Sequence, residues 1–502
     1  MREVELKLAV HGPFDIPELR SVDGIAEVAE SKVQHLRATY YDTDDLRLAR
    51  NGITLRYRSG EEPGPMWTVK LPVDGASSKV STREEINVRG SASTVPRAAA
   101  ELVIAFARSA PLSPVTRIHT RRNRWSLMND DGEVGTELVD DEVSITEGSR
   151  VVARFRELEI EDRGAGEDTL EKVGEALRAA GAMAGDKTPK AVRALGARAT
   201  VAPDVVPPKR ISPKEPAGKA VGASLVTGTL RMMANDPYTR LGSEDAVHQL
   251  RVAARRMRSD LRTFGPLVEV GWAEALVVEL KWIADALGEV RDLDVMQSRL
   301  RKAGGGMEDS LDPLFESMDL KHEVARERLL EALRSSRYID LLDRLVEAGR
   351  SPVLTEAAAE PCGDALPRLV REAWRNLARR ARSLRPGDPN EDFHRVRILA
   401  KRARYAAEAV APSLGKKIGK QASSFASGCA DIQDVLGTLQ DAVVSAGMVK
   451  HLATEHRIDG PFNLALGRLL ERQEHNAREA RQKFPKVWSS LDKTKNLSWL
   501  DS

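Results

Sequence analysis

From Arg2 to about Asp162, hydrophobic and polar residues alternate in short runs broken by glycine, proline and aspartate. Alternation with period two marks strands that have one apolar and one polar face. The pattern predicts strands near 2–10, 36–43, 52–59, 65–72, 82–89, 115–128, 133–141 and 151–162, and helices over 94–108 and 168–181. Eight strands with few long crossovers point to an antiparallel barrel, which leaves no open sheet edge. From about 219 to 495 the period becomes 3.6, in segments rich in Ala, Leu, Arg and Glu, and predicts helices. Between the two regimes stand Pro203, Pro207, Pro208, Pro213 and Pro216, which predict a semi-rigid linker over 201–218. The chain therefore reads as an α+β multidomain protein. It has an eight-stranded antiparallel β-barrel with flanking helices over 1–200 and an all-α bundle over 219–495.

The polar faces of the strands carry charge. In Glu3-Val4-Glu5-Leu6-Lys7, Glu3, Glu5 and Lys7 share one face while Val4 and Leu6 take the other. Arg56 and Arg58 flank Tyr57, Lys70 follows Thr68, Arg83 and Glu85 share a face, and Glu157, Glu159 and Glu161 alternate with Leu158 and Ile160. Each strand alone fits a wet, charged sheet face. Together they describe a barrel whose interior is polar and whose apolar faces lie outside under helices. Charges buried in that way need compensation. A polyanion chelated to a divalent metal supplies it, because cations neutralise phosphate oxygens and glutamates hold the metal.

The segments "EVELK" at 3–7, "YYDTDDLRLARNGITLRYR" at 40–58, "WTVKL" at 67–71 and "ELEIE" at 157–161 resemble the CYTH superfamily, the triphosphate tunnel metalloenzymes. The resemblance covers about residues 1–200. It implies an eight-stranded tunnel that hydrolyses or cyclises triphosphates with Mg²⁺ or Mn²⁺. By position it makes Glu3, Glu5, Glu157 and Glu159 acidic metal or water ligands, and Lys7, Arg56, Arg58 and Lys70 phosphate contacts. Arg122 matches a further phosphate ligand, with Arg121 and Arg124 as alternatives of register, and Asp140 matches an acidic metal ligand, with Asp141 as its rival. Lys190 fits the lysine near the domain's end, with Lys187 as the alternative, because Pro189 replaces the serine often found before it. Glu3, Glu5, Lys7, Glu157 and Glu159 are the expected catalytic set.

The helical half contains an internal repeat. "HQLRVAARRMRSDLRTF" from His248 matches "HRVRILAKRARYAAEAV" from His394, and "LGEVRDLDV" at 287–295 matches "LGTLQDAVV" at 436–444. At 3.6 residues per turn, His248, Arg251, Arg255, Arg258 and Arg262 fall within about 80° of arc. The second copy repeats this stripe with His394, Arg397, Lys401 and Arg404, until Glu408 replaces the counterpart of Arg262. Two basic stripes facing each other repel unless an anion lies between them. Linear inorganic polyphosphate fits, being flexible, densely charged and without bases to stack. A histidine beside it has a raised pKa, so binding strengthens as pH falls. This half resembles the CHAD domain, a bundle of two four-helix repeats (here about 219–350 and 364–495) that binds polyphosphate. The resemblance implies a binding set of His248, Arg251, Arg255, Arg258, His394, Arg397, Lys401 and Arg404.

Composition narrows the setting. The 77 basic and 75 acidic residues nearly cancel, so any basic surface is local. Aromatic residues make up 4% and no recognition-helix motif occurs, which disfavours nucleic acid. Two cysteines, no apolar signal core and no run of 18 apolar residues suit a cytoplasmic protein without a membrane partner, with polyphosphate granules as one place of association. The expected function is metal-dependent hydrolysis of inorganic triphosphate to pyrophosphate and phosphate, fused to a polyphosphate-binding bundle. The alternatives are an adenylate cyclase or an organic (nucleotide or thiamine) triphosphatase, and a non-catalytic protein of polyphosphate granules.

Overall fold

The alternating strands close on themselves. The computed structural model describes residues 2–61, 64–73, 80–147, 150–186, 188–304, 312–455, 460–493 and 497–500. The chain divides into two units, Met1–Asp204 and Val205–Ser502. Along the first run β1 (Arg2–Ala9), β2 (Glu27–Glu30), β3 (Gln34–Asp42), α1 (Arg47–Arg50), β4 (Thr54–Ser59), β5 (Met66–Pro72), β6 (Ser81–Val88), α2 (Arg97–Ala107), β7 (Ser113–Met128), β8 (Val134–Glu147), β9 (Arg150–Asp162), α3 (Glu167–Ala179), β10 (Met183–Ala184) and α4 (Lys190–Leu195). Eight strands in the order β1-β6-β5-β4-β3-β7-β8-β9 form an antiparallel barrel that β1 and β9 close. Short β2 pairs with β7 and short β10 with β1, and neither was expected from the alternation.

Register decides which face looks inward. Glu5 stands opposite Glu161 and Lys7 opposite Glu159, so these residues share the inner face. The outer face of the same strands, with Leu6, Leu8, Leu138, Leu158 and Ile160, packs under Leu170, Val173 and Leu177 of α3. The barrel's main core is thus outside it. Inside, one end is filled by Ala38, Tyr40, Ile118 and Val143 with Ala191 of α4, which forms an apolar plug.

A buried aspartate fixes the turn between β3 and β4. Asp42, 2% exposed, accepts hydrogen bonds from the amides of Thr43 (2.7 Å), Leu48 (2.9 Å) and Ala49 (2.9 Å). These bonds satisfy the first amides of α1 and hold Leu46 at φ 58°, a conformation costly for leucine.

In the second unit run α5 (Gly218–Arg240), α6 (Glu244–Thr263), α7 (Val270–Gly304), α8 (Asp312–Arg334), α9 (Ser336–Arg350), α10 (Cys362–Ser383), α11 (Asn390–Val410), α12 (Gly415–Glu455) and α13 (Gly460–Leu491). The second repeat has the expected four helices, α10 to α13. In the first, the last helix is broken into α8 and α9, because the Ser335 hydroxyl caps the new start by accepting from the Tyr338 amide. The proline-rich stretch is no bare tether. The Pro213 and Glu215 carbonyls accept hydrogen bonds from Gly363 and Cys362 at the start of α10, both 2.8 Å. No helix among the described residues is long and apolar enough to cross a membrane.

Removing the Asp42 carboxylate orphans three buried amides. Asp42→Ala is expected to lower the unfolding free energy by about 3 kcal/mol, measured by denaturant titration.

Candidate active site and anion-binding seam

The inward face of the barrel builds a cavity with about 150 Å³ of free volume. Among the described residues seventeen line it, of which nine are lysine or arginine and five are glutamate. On one wall the Lys7 ammonium lies 2.8 Å from Glu159 and 3.4 Å from Glu5. Burial opposes its charge, but Glu159, Glu5 and Glu157 outweigh that and raise its pKa. Farther along β1, Glu3 is met by Lys70 at 2.5 Å, which also lies 2.9 Å from Glu85. Glu85 is pushed down to about 2: burial works against ionisation, and Lys70 and Arg56 overcome it.

The arginines are less well matched. Arg56 bonds to Tyr40, and its buried Nε has no hydrogen-bond partner. Arg58 is pushed down to about 10 by burial and by the neighbouring Arg56 and Arg122, against the pull of Glu61. Arg122 is held along one edge. Its guanidinium grips Asp141 at 2.8 and 2.6 Å and touches Glu159 at 3.4 Å. Lys190, from the first turn of α4, also bonds to Asp141 and lies 3.3 Å from both Glu157 and Glu159.

Asp140 is not in the tunnel. It pairs across the ladder with Leu158 on the outer face, where Arg156 holds it at 2.9 and 2.8 Å. Asp141, named above only as the rival, stands opposite Glu157 and takes the inward place expected of Asp140. Lys187 lies outside the described residues, and Arg121 is exposed on the outer face with Glu142. Glu3 and Glu157 flank the cavity through their lysine partners, whereas Glu5 and Glu159 line it.

Among the described residues no three acidic, His or Cys side chains converge as they would around an ion. The donor set nevertheless suits a hard cation: Glu5, Glu159 and Glu161 line the cavity, and Glu157 Oε1 lacks a hydrogen-bond partner. Glu161 is short of positive charge. Burial, then Glu159 and Glu3, lift its pKa to about 7 despite Arg122 and Arg163.

The helical unit gathers a second excess of cations. Lys401 on α11 is pushed down to about 7 by burial and by Arg255, Arg397, Arg258 and Arg251. The stripes of α6 and α11 therefore meet in one seam. Two glycines make room in matching places. A Cβ at Gly288 of α7 would lie 3.3 Å from the Arg251 guanidinium, and one at Gly437 of α12 would lie 3.7 Å from that of Arg397. Both of these arginines have a buried Nε without a hydrogen-bond partner. His394 Nδ1 lies 2.8 Å from Gln440. His248 is held below its usual range by burial and by Arg291, the reverse of the expectation for a histidine beside an anion, because its present neighbours are cations. Arg404 departs from the stripe: Glu408, one turn on, takes its Nε at 2.8 Å and is also bonded by Arg256.

A family model described as the CYTH domain matches residues 1–195, and one described as the CHAD domain matches residues 228–450. A Mycobacterium tuberculosis protein, uncharacterized protein Rv2226, is 30% identical over 521 residues, spanning 98% of this chain and 96% of its own. The chain belongs to the CYTH–CHAD family. Two solved structures are each similar to part of it. PptA from Streptomyces chartreusis is 24% identical and covers 55% of this chain and 99% of its own, with a TM-score of 0.46. The CHAD domain from the plant Ricinus communis is 22% identical and covers 57% and 95%, with a TM-score of 0.47. CYTH membership supports a triphosphate-tunnel enzyme of the hydrolase or cyclase kind.

Lining residues of the CYTH tunnel outside the expected set are Tyr40, Thr54, Glu61, Arg83, Glu85, Glu161, Arg163 and Pro189, together with Arg124, the alternative of register to Arg122. Glu161 continues the alternation of Glu157 and Glu159, so its place was in the pattern; Glu61 follows the end of β4 and had no such signal. In the CHAD seam the addition is Arg291, within the second repeated motif.

Lys401 gives the seam a titration near neutrality. An anion bound there favours the ammonium and raises the pKa from about 7. Affinity for a polyphosphate probe is then greatest below pH 7 and falls as pH rises toward the bound-state pKa, by at most about tenfold per unit. Lys401→Arg keeps its charge and is expected to flatten the slope in calorimetric titrations from pH 6 to 9.

Proposed function

We propose that the CYTH tunnel hydrolyses inorganic triphosphate to pyrophosphate and phosphate, and that the CHAD seam binds linear inorganic polyphosphate. The observation that carries the reading is the mutual repulsion of nine lysines and arginines gathered on one cavity, which pushes Arg58 down to about 10 and leaves the Arg56 Nε without a hydrogen-bond partner. A dense polyanion offsets it. Arg56, Arg58, Lys70 and Arg124 bind phosphate oxygens and spread the charge that builds up during phosphoryl transfer. Lys7 and Lys190 hold Glu5, Glu157 and Glu159 in place, and the apolar plug of Ala38, Ile118 and Val143 keeps water from entering behind the substrate. Mg²⁺ or Mn²⁺, held by Glu5, Glu159 and Glu161 with Glu3 beside them, would polarise the phosphoryl group.

The cavity favours inorganic over organic triphosphates. Tyr40 and Pro189 are the most apolar of its lining residues, so it offers little for a base or thiazolium ring to stack on. Duplex nucleic acid would also suit a basic seam, but the surplus there is confined to the crossing of two helices.

Protein supplied with tripolyphosphate and Mg²⁺ or Mn²⁺ is expected to release pyrophosphate and phosphate in equal amounts. Arg56→Ala should lower kcat/KM by about a hundredfold or more without unfolding the barrel. A cyclic nucleotide from ATP, or no phosphate from tripolyphosphate, would overturn the tunnel assignment. For the seam, long-chain polyphosphate should hold against duplex DNA at equal phosphate concentration, and displacement by the DNA would refute it.

A further inference from the structure

The turn after β4 brings an anion of the protein's own into the tunnel. Gly60 has φ 96°, and a Cβ there would stand 2.1 Å from the His35 carbonyl oxygen, so glycine alone lets the chain press against β3. The Gly64 amide then donates to the Glu61 carbonyl at 2.8 Å. The Glu61 side chain is directed into the barrel mouth, where it is 18% exposed. Its carboxylate is bonded by Arg58, accepts from Arg124 at 2.9 Å and lies 4.0 Å from Arg122. Three guanidinium groups from two strands converge on one carboxylate. That fan of donors suits an oxyanion with more oxygens than a carboxylate has.

The position along the tunnel is also defined. Inward residues of β7 run from Ile118 in the plug through Thr120 and Arg122 to Arg124, so Glu61 sits at the end opposite the plug. An anion lodged against Arg56, which bonds to Tyr40 of the plug, meets Glu61 only if it is long enough.

We propose that Glu61 occupies the outermost phosphate subsite of the tunnel and is displaced by the third phosphate of a triphosphate, a role that rests on the triphosphate reading above. A terminal phosphate brings more charge and one more oxygen to Arg58, Arg122 and Arg124 than the carboxylate it replaces. Pyrophosphate fills the inner subsites and leaves Glu61 where it is. The glutamate therefore acts as a competitor that weakens triphosphate binding and sets how long an anion must be before it contends for these arginines.

The test is calorimetric titration of the full chain in EDTA with tripolyphosphate and with pyrophosphate, so that binding is read without metal or turnover. Glu61→Gln is expected to tighten tripolyphosphate about tenfold and to change pyrophosphate by less than about twofold, with KM for tripolyphosphate falling in step. Glu61→Asp, shorter but still charged, should fall between. Unchanged or weaker tripolyphosphate binding in Glu61→Gln, equal tightening of both anions, or a raised Mg²⁺ requirement would each overturn the proposal while leaving the triphosphatase reading in place. If the unaltered protein neither binds nor hydrolyses tripolyphosphate, both fall.

Discussion

The structure depends on burying many charges of both signs inside a closed sheet, with nine lysines and arginines gathered on one cavity. Guanidinium and ammonium groups keep their charge in the barrel only if something offsets the water they have lost. Ion pairs offset part of that cost, as in Lys7 with Glu5 and Glu159, or Arg122 with Asp141. The rest shows as strain on the cations: Arg58 has a weakened hold on its proton and Arg56 has an idle Nε. A site in this condition is organised for an anion before the anion arrives. It also turns the usual barrel inside out, so the apolar faces look outward and need α3 to cover them. Closure by β1 and β9 is then essential, because an open sheet would let water screen the charges that give the tunnel its affinity.

The helical half meets the same constraint by a different route. Two copies of one helix are crossed so that their basic stripes face each other, and Gly288 and Gly437 admit the guanidinium groups of Arg251 and Arg397 against neighbouring helices. The copies are not equivalent. Where the first keeps Arg262, the second has Glu408, which draws Arg404 and Arg256 into an ion-pair network away from the cation cluster. The first repeat supplies Arg291 where the second has Gln440, and sets Asp294 3.7 Å from it where the second has Val443.

Much of this was legible in the sequence because a strand's period of two leaves no freedom once its phase is known. "EVELK" and "ELEIE" set their own phase, with apolar residues between the charges, and their inward faces follow. "ELVDDE" does not. Leu138 and Val139 are both fully buried, one on each side of the sheet, so nothing local says which aspartate points inward, and only the pairing of Asp141 with Glu157 decides. The α1 turn was hidden for another reason. Four residues carry no helical period, and the turn exists because Asp42, several residues upstream, satisfies its amides. Arg404 was placed by its own spacing, but its direction depends on what stands one turn later.

Near-neutrality of the whole chain becomes intelligible in these terms. With 77 basic and 75 acidic residues, the charges largely cancel beyond a Debye length of about 8–10 Å, so a distant polyanion feels little net attraction. The cations are met at short range only by a ligand narrow enough to enter the barrel or flexible enough to follow the seam between α6 and α11. A condensed phosphate chain satisfies both conditions. In the proposed reading, selectivity rests less on how many cations the molecule has than on where they are gathered.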